Sequence, residues 1–477
     1  MMIGEDFSGR RVLVVGLARS GLASVEFLSQ RGAVVRATDL RSEGDLSAEL
    51  SGLSQRGVEL VLGAHPPGLT SDIELVVTSP GVPLQSAPLE EARAKGIPVW
   101  GELELAYRQI RGLVVAITGT KGKSTTARLI ADILKTAGRS VKLGGNIGMP
   151  LISLVENARS NDVFIVEVSS FQLETTEKFR PHVAILLDVT PDHLDRHASF
   201  ETYVEAKKRI FSNQEAGDWA VVYAGNPLTV EMASKSHSKK VYFSLEPKGD
   251  HESTISVEGP WIVKRDNGET TALVSLEKIP LRGRHNIENI MAACGAATVM
   301  DIEPELLFLA VGDFSGVAHA LECVGELEGV AFYNDSKATN LAAARAALES
   351  FEGGVFLILG GRSKAGDFSD LRPHVRRNVK RVLAIGEARP RIDEALGDVV
   401  PVLQCRNLRE AVDKAYRHAS PGDTVLLSPA CASFDMFTDY AERGDRFREE
   451  VEKLMKRTQK AKGKASSDRD EGKTGDE

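Results

Sequence analysis

The run Leu113-Val-Val-Ala-Ile-Thr-Gly119-Thr-Lys-Gly122-Lys123-Ser124-Thr125 constrains this 477-residue chain more than any other. An apolar stretch of strand length meets a glycine turn, and an amphipathic, helix-length stretch follows from 123 to 137. Glycines let successive backbone N–H groups curl around one anion, and the helix N-terminus adds its partial positive charge. Lys123 can reach terminal phosphates, and the Ser124 hydroxyl is placed for Mg²⁺. The loop reads G-x-x-G-K-S, and Ile117 occupies the place of the first glycine in the commoner G-x-x-x-x-G-K-[ST] pattern. A strand before and a helix after, with Lys-Ser between them, predict a nucleoside-phosphate site at Gly119, Thr120, Lys121, Gly122, Lys123, Ser124 and Thr125.

The same alternation of short apolar runs and amphipathic stretches recurs along the chain, which predicts parallel sheets. Strands are expected at 11–15, 34–39, 73–78, 113–118, 162–168 and 183–189, with helices near 20–31, 88–95 and 286–300. Residues 218–282 are richer in short β runs, and a further series starts near 330. Boundaries near 101 and 316 follow from these shifts, giving domains 1–101, 102–316 and 317–455. From 456 the chain carries seven basic and five acidic side chains with almost no apolar ones. Such a segment cannot offset its ordering entropy by burial, so 456–477 is expected to be a disordered tail.

Composition excludes several classes. Lys and Arg number 59 against 67 Asp and Glu, so no global basic field advertises nucleic acid. No apolar run approaches membrane-spanning length. Cys294, Cys323, Cys405 and Cys431 have no metal-ligand spacing and cannot staple a chain this long. A cytoplasmic monomer that neither binds nucleic acid nor inserts into a membrane is expected.

Other motifs gather around the loop. Glu167 ends an apolar strand, where a carboxylate beside a phosphate loop is the expected Mg²⁺ ligand. A second glycine turn, Gly16-Leu-Ala-Arg19-Ser20-Gly21, follows the first strand without the G-x-G-x-x-G order, and Asp39 ends the next strand, where a ribose-binding acid could stand. His193 and His197 are spaced i,i+4, but no Glu lies between them and no third ligand is near, which disfavours zinc.

The loop 118–125, Gly144-Gly-Asn146-Ile-Gly148, Glu167-Val-Ser169-Ser-Phe-Gln172 and Asp192-His193-Leu-Asp195 together resemble the Mur ligases, ATP-dependent amide-forming enzymes of peptidoglycan precursor synthesis. The resemblance runs to about residue 455. It implies an α/β chain of three domains: Rossmann-like at the N-terminus, a P-loop-type central ATPase domain, and Rossmann-like again at the C-terminus. The runs Asn334-Asp335-Ser-Lys337-Ala-Thr339-Asn340, Leu359-Gly-Gly-Arg-Ser-Lys364 and Ser428-Pro-Ala-Cys-Ala-Ser433 narrow the implied reaction to joining D-glutamate to UDP-N-acetylmuramoyl-L-alanine. In implied roles, Arg19, Ser20, Gly21 and Arg41 hold the UDP group, and Asn146, Ser169, Gln172 and His193 line the path of that substrate. Asn289, His319, Asp335 and Lys337 match ATP-side positions, while Thr339, Lys364, Ser433 and Tyr440 match D-glutamate positions. Two Mg²⁺ are implied, one on Ser124 and Glu167 and one on His193 and Lys207, the latter carbamylated by CO₂. Lys123, Glu167, His193 and Lys207 are then the catalytic set. Three departures stand out: Ala320 follows His319 where the family usually has Arg, Arg362 stands where an acid is common, and Tyr440 replaces Phe. Arg362 offers a replacement cation. Folylpolyglutamate synthase is the competing enzyme reading, and a catalytically silent nucleotide-binding relative is the non-enzymatic one.

Overall fold

A computed structural model of the chain describes residues 5–46, 50, 52–53, 56–193, 196–362 and 366–471, the side chains of 461–471 excepted. It divides into two compact units, one holding 1–280 and 285–314, the other 281–284 and 315–477.

The first unit carries two sheets. Strands β1 (Arg11–Val15), β2 (Val34–Asp39), β3 (Glu59–Leu62), β4 (Leu75–Thr78) and β5 (Val99–Gly101) form an all-parallel sheet in the order β3-β2-β1-β4-β5. Their apolar residues, Val12 to Val15 above all, are buried on both faces, which is why β1 reads as a continuous apolar run rather than an alternating one. Strand order reverses at β1, between β2 and β4, and the turn 16–21 opens into the crevice there.

The second sheet comprises β6 (Leu113–Thr118), β7 (Val141–Gly145), β8 (Val163–Glu167), β9 (Val183–Leu186), β10 (Trp219–Tyr223), β11 (Lys239–Phe243), β12 (Ser253–Glu258), β13 (Trp261–Asp266) and β14 (Glu269–Ser275), in the order β14-β13-β12-β11-β10-β9-β6-β8-β7. It is parallel from β7 to β12 and antiparallel beyond. The β13–β14 hairpin has a local cause: Asp266 pairs with Glu269, and Asn267 and Gly268 between them have φ of 49° and 86°. Asn-Gly tolerates that left-handed pair, and its twist matches the strands. Strand order also reverses at β6, between β9 and β8, so the crevice beyond its carboxyl end is where α/β sheets take ligands.

Gly101 ends β5 and Glu102 starts the short helix Glu102–Tyr107, which leads toward the second sheet. Glu104 on this helix is fully buried and accepts hydrogen bonds from the N–H groups of Glu177 (2.9 Å), Lys178 (2.9 Å) and Phe179 (3.0 Å) and from Arg108 Nε (2.8 Å). Removing the carboxylate strands three amides and a guanidinium, so Glu104→Ala is expected to cost about 3–5 kcal/mol. Thermal unfolding followed by circular dichroism should show the first transition lowered by several degrees; an unchanged midpoint would contradict this role.

The second unit holds β15 (Glu322–Leu327), β16 (Val330–Asn334), β17 (Val355–Gly360), β18 (Val379–Ile385), β19 (Val402–Gln404) and β20 (Thr424–Leu427), ordered β15-β16-β20-β17-β18-β19. All neighbours are parallel except β15, which pairs antiparallel with β16 at the edge. The series was expected to begin at β16. The preceding strand escapes because Glu322, Gly325 and Glu326 dilute its apolar pattern. The terminal helix runs Tyr440–Glu471, so the segment expected to lack order from 456 is helical through 471; Lys, Gln, Ala and Arg are strong helix formers that extend a helix already packed through Phe447, Val451 and Leu454. Residues 472–477 lie outside the described residues. Among the described residues no helix is long and apolar enough to cross a membrane.

Candidate active site

The loop after β6 is shaped by two glycines. Gly119 has φ 148° and Gly122 φ 84°; a Cβ would stand 2.6 Å from Leu187 Cβ at the first and 2.1 Å from Asn289 Oδ1 at the second. Neither position admits a side chain. The helix Lys123–Thr136 starts immediately after. Lys123 Nζ folds back over the loop, donating to the carbonyls of Gly119 and Thr120 at 2.9 Å each, within reach of the anion that the loop amides would face. Lys121 is exposed and Thr125 half-buried.

Glu167 closes β8 beside this helix and is buried. Its Oε2 accepts the Ser124 hydroxyl at 2.6 Å and its Oε1 accepts Asn146 Nδ2 at 2.8 Å. Three residues from separate motifs thus converge. Lys207, on the helix Phe200–Lys208, is 2% exposed and donates from Nζ to Gly119 O (2.8 Å) and Thr118 Oγ1 (3.4 Å). Burial, reinforced by the Lys123 ammonium, pushes its amine down to about 6 against the opposing pull of Asp192 and Glu167. Lys208 instead lies at the surface beside Glu205.

Thr120 is clamped: its hydroxyl meets Thr190 N and O and the Tyr203 hydroxyl, all at 3.0 Å. Ser169 and Gln172 form a capping box around the helix Ser170–Leu173, and Gln172 is buried. Asn289 Oδ1 accepts the Thr126 hydroxyl at 3.4 Å and walls the loop at Gly122. His193 sits in a left-handed turn, φ 53°, half-exposed, with Phe171 5.2 Å from its ring. No contact among the described residues brings its ring to Lys207. Asp195 lies outside the described residues.

At the first sheet, Arg19 donates to Gly148 O, tying the glycine turn to the 144–148 loop. Ser20 O accepts from Ser24 Oγ, and Gly21 is buried. Asp39 accepts Leu17 N at 2.7 Å and Arg41 through both N and guanidinium. Burial pushes this carboxyl up, but the Arg41 and Leu17 donors outweigh it and hold it at about 2. Asp39 is therefore ionised throughout the neutral range, and its charge orients Arg41.

In the second unit Asp335, at the end of β16, is buried and accepts Ser428 Oγ (2.8 Å) and Leu321 N (3.2 Å). Burial pushes it up to about 7 despite those donors. His319, with φ 64°, faces Asn334 Nδ2 across 3.0 Å through Nδ1, and its carbonyl accepts Lys337 N at 2.9 Å. Burial pushes its imidazole pKa down. Thr339 is half-buried, Ser433 buried, and Tyr440 exposed 6.3 Å from the His319 ring. A fully buried Arg443 joins the two substrate-type loops, donating to Ser336 Oγ and O (2.9 Å each) and Cys431 O (3.0 Å). Lys364 lies outside the described residues.

Known proteins share this plan from end to end. Residues 10–101 match the Mur ligase MurD-like N-terminal domain, 117–297 the Mur ligase middle domain and 321–431 the Mur ligase glutamate ligase domain. The UDP-N-acetylmuramoylalanine–D-glutamate ligase of Acidobacterium capsulatum is 44% identical over 94% of this chain and 97% of its own length. That of Koribacter versatilis is 43% identical over 95% and 100%. The chain belongs to the Mur ligase family.

Solved Mur ligases share the fold at low identity. The UDP-N-acetylmuramate-alanine ligase of Thermotoga maritima aligns over 93% of this chain and 99% of its own with a TM-score of 0.57 at 18% identity. The MurF ligase of the same organism aligns over 94% and 100% with a TM-score of 0.58 at 16% identity. The arginine expected after His319 is absent, since Ala320 stands there. Arg362 does not stand free to replace it, since its guanidinium pairs with Glu387 at 3.1 Å.

The donors around Glu167 suit Mg²⁺. A hydroxyl and a carboxylate 2.6 Å apart are hard oxygen ligands, and among the described residues no group of three His, Cys, Asp or Glu could hold a metal by itself. Mg²⁺ keeps waters and phosphate oxygens and takes only one or two protein ligands, so so sparse a set fits it. The contacts by which Tyr203 and Thr190 fix Thr120 were not read from sequence, though Tyr203 stands one helical turn before Lys207 in the run that marks it. The partnership of Asn146 with Glu167 and the strut at Arg443 join residues too far apart in sequence for spacing to reveal.

Proposed function

We propose that this Mur ligase joins D-glutamate to UDP-N-acetylmuramoyl-L-alanine in the cytoplasm, as a monomer, with ATP consumed to ADP and phosphate. The observation that carries the reading is the convergence of Ser124, Asn146 and Glu167 beside an anion loop closed by Lys123, in a chain 44% identical to enzymes of that name. An L-alanine carboxylate oxygen attacks the γ-phosphorus of ATP and ADP leaves. The D-glutamate amine then attacks the acyl carbon, and the tetrahedral adduct expels phosphate to give the amide. Carboxylate oxygen is a poor leaving group and phosphate a good one, which is why ATP is needed.

Residues 1–101 take the uridine end, with Arg41 held by Asp39 and Arg19 beside the 144–148 loop. Residues 102–316 take ATP, with Lys123 and the amides of 119–125 compensating charge on the phosphates. Residues 317–455 take D-glutamate through Thr339, Lys364, Ser433 and Tyr440, with Asn289, His319, Asp335 and Lys337 on the ATP side. Ser124 and Glu167 would hold one Mg²⁺, and His193 with a carbamylated Lys207 a second; the ions neutralise charge where ATP and carboxylate meet. Lys207 supports the carbamate assignment because burial pushes its amine down to about 6, which favours the neutral form that is nucleophilic toward CO₂.

Purified protein given ATP, Mg²⁺ and the uridine substrate should release ADP and form product with D-glutamate at least about a hundredfold faster than with L-glutamate, L-alanine or meso-diaminopimelate. Discrimination of that order is what a site built to pair substrate polar groups attains. Comparable turnover with L-alanine would overturn the assignment.

A further inference from the structure

His197 is a buried histidine to which the reaction as described assigns nothing. Its Nε2 meets Ser170 Oγ at 2.9 Å and its Nδ1 lies 3.4 Å from Glu174 Oε1. The ring stacks on Phe171 at 5.1 Å and 14°, and meets the edge of Tyr203 at 5.3 Å and 69°. Its backbone N–H donates to His193 O at 3.0 Å. The serine–histidine–glutamate order suggests a hydrolytic triad, but Ser170 is itself buried and offers no approach to a substrate.

What these contacts join is more informative. Ser170 and Phe171 open the short helix whose cap is Ser169 and whose third residue is Gln172. Phe171 also touches the His193 ring, and the Arg196 guanidinium lies 5.4 Å from the Phe171 ring centroid. Tyr203 reaches Thr120 in the anion loop with its hydroxyl and packs its ring 4.7 Å from Lys207 Nζ. A four-residue helix has little stability alone, and a loop bearing a left-handed residue has none without tertiary support. One imidazole therefore ties together three segments, each carrying residues of the candidate site.

We propose that His197 is a positioning residue for the ligation, holding the 169–173 helix, the turn at His193 and the 200–208 helix in one register. Nε2 lies within hydrogen-bond distance of Ser170 Oγ and Nδ1 within ion-pair distance of Glu174 Oε1, so both ring nitrogens face polar partners. It touches no substrate. Residues that orient a site in this way typically contribute 10–100-fold to activity.

The inference rests on the ligase reading, and wild-type turnover tests that reading first. In a chain that ligates, His197→Phe keeps the ring stack and removes both nitrogens. It is expected to lower kcat about 10–100-fold while KM for ATP and for the uridine substrate stays within about threefold, the pattern of lost alignment rather than lost binding. His197→Gln, which can still meet Ser170, should recover part of kcat. Should His197→Phe not fold, Ser170→Ala serves, with a smaller drop in kcat at constant KM. A kcat near wild type in the variant measured, a rise in KM alone, or glutamine no better than phenylalanine would each overturn the proposal.

Discussion

Lys207→Ala is expected to lower kcat by about 10²–10³-fold, the scale of losing one preorganised electrostatic contact in an active site, whereas Lys208→Ala should stay within about twofold. The two lysines are neighbours with opposite environments. Lys207 is 2% exposed and held against Gly119 O, while Lys208 shares the surface with Glu205. A cation so placed would repel Mg²⁺. Its neutral nitrogen can instead attack CO₂ and lose a proton, leaving a carbamate with two hard oxygens. Burial, with the Lys123 charge, pushes the folded amine from 10.5 down to about 6, so its neutral, reactive form gains above that pH and its protonated, inert form gains below it. Short carboxylates such as acetate should therefore restore part of the activity of Lys207→Ala. Steady-state assays with and without acetate check this; near-normal turnover without rescue would remove the carbamate.

Glu167→Gln is expected to lower kcat/KM by at least about a hundredfold and raise the Mg²⁺ concentration for half-maximal rate about tenfold or more. Glutamine keeps the volume between Ser124 and Asn146 but replaces one acceptor oxygen by a donor that faces an existing donor, and it removes the charge. Titrating Mg²⁺ at fixed ATP separates the two effects. An unchanged metal requirement would mean that Glu167 only braces Asn146.

The fold was legible where chemistry is local. β1, β2 and β6 lie where their apolar runs place them, because strands buried on both faces write themselves as continuous apolar segments. β3, β7 and β15 were not, since half-buried or edge strands mix Glu, Lys and Gly into short runs. The anion loop could be read because its glycines and Lys-Ser are contiguous. The clamp from Tyr203 to Thr120 spans 83 positions and the strut from Arg443 to Ser336 spans 107, distances at which spacing carries no information. Glu104 reads as one more surface acid on a helix, and only the three amides it gathers from 177–179 show otherwise.

The wall that Asn289 raises against Gly122 has a consequence for how the protein is made. The ribosome emits the loop about 170 residues before the helix Arg284–Thr298 that completes it. At bacterial elongation rates that interval is on the order of ten to thirty seconds. Throughout it the emitted chain includes Gly119 to Ser124 but not Asn289, so the segment most suited to gripping an anion is made well before the residue that walls it. A chain stalled before residue 289 carries the lysine and the serine but lacks the side chain that stands against Gly122.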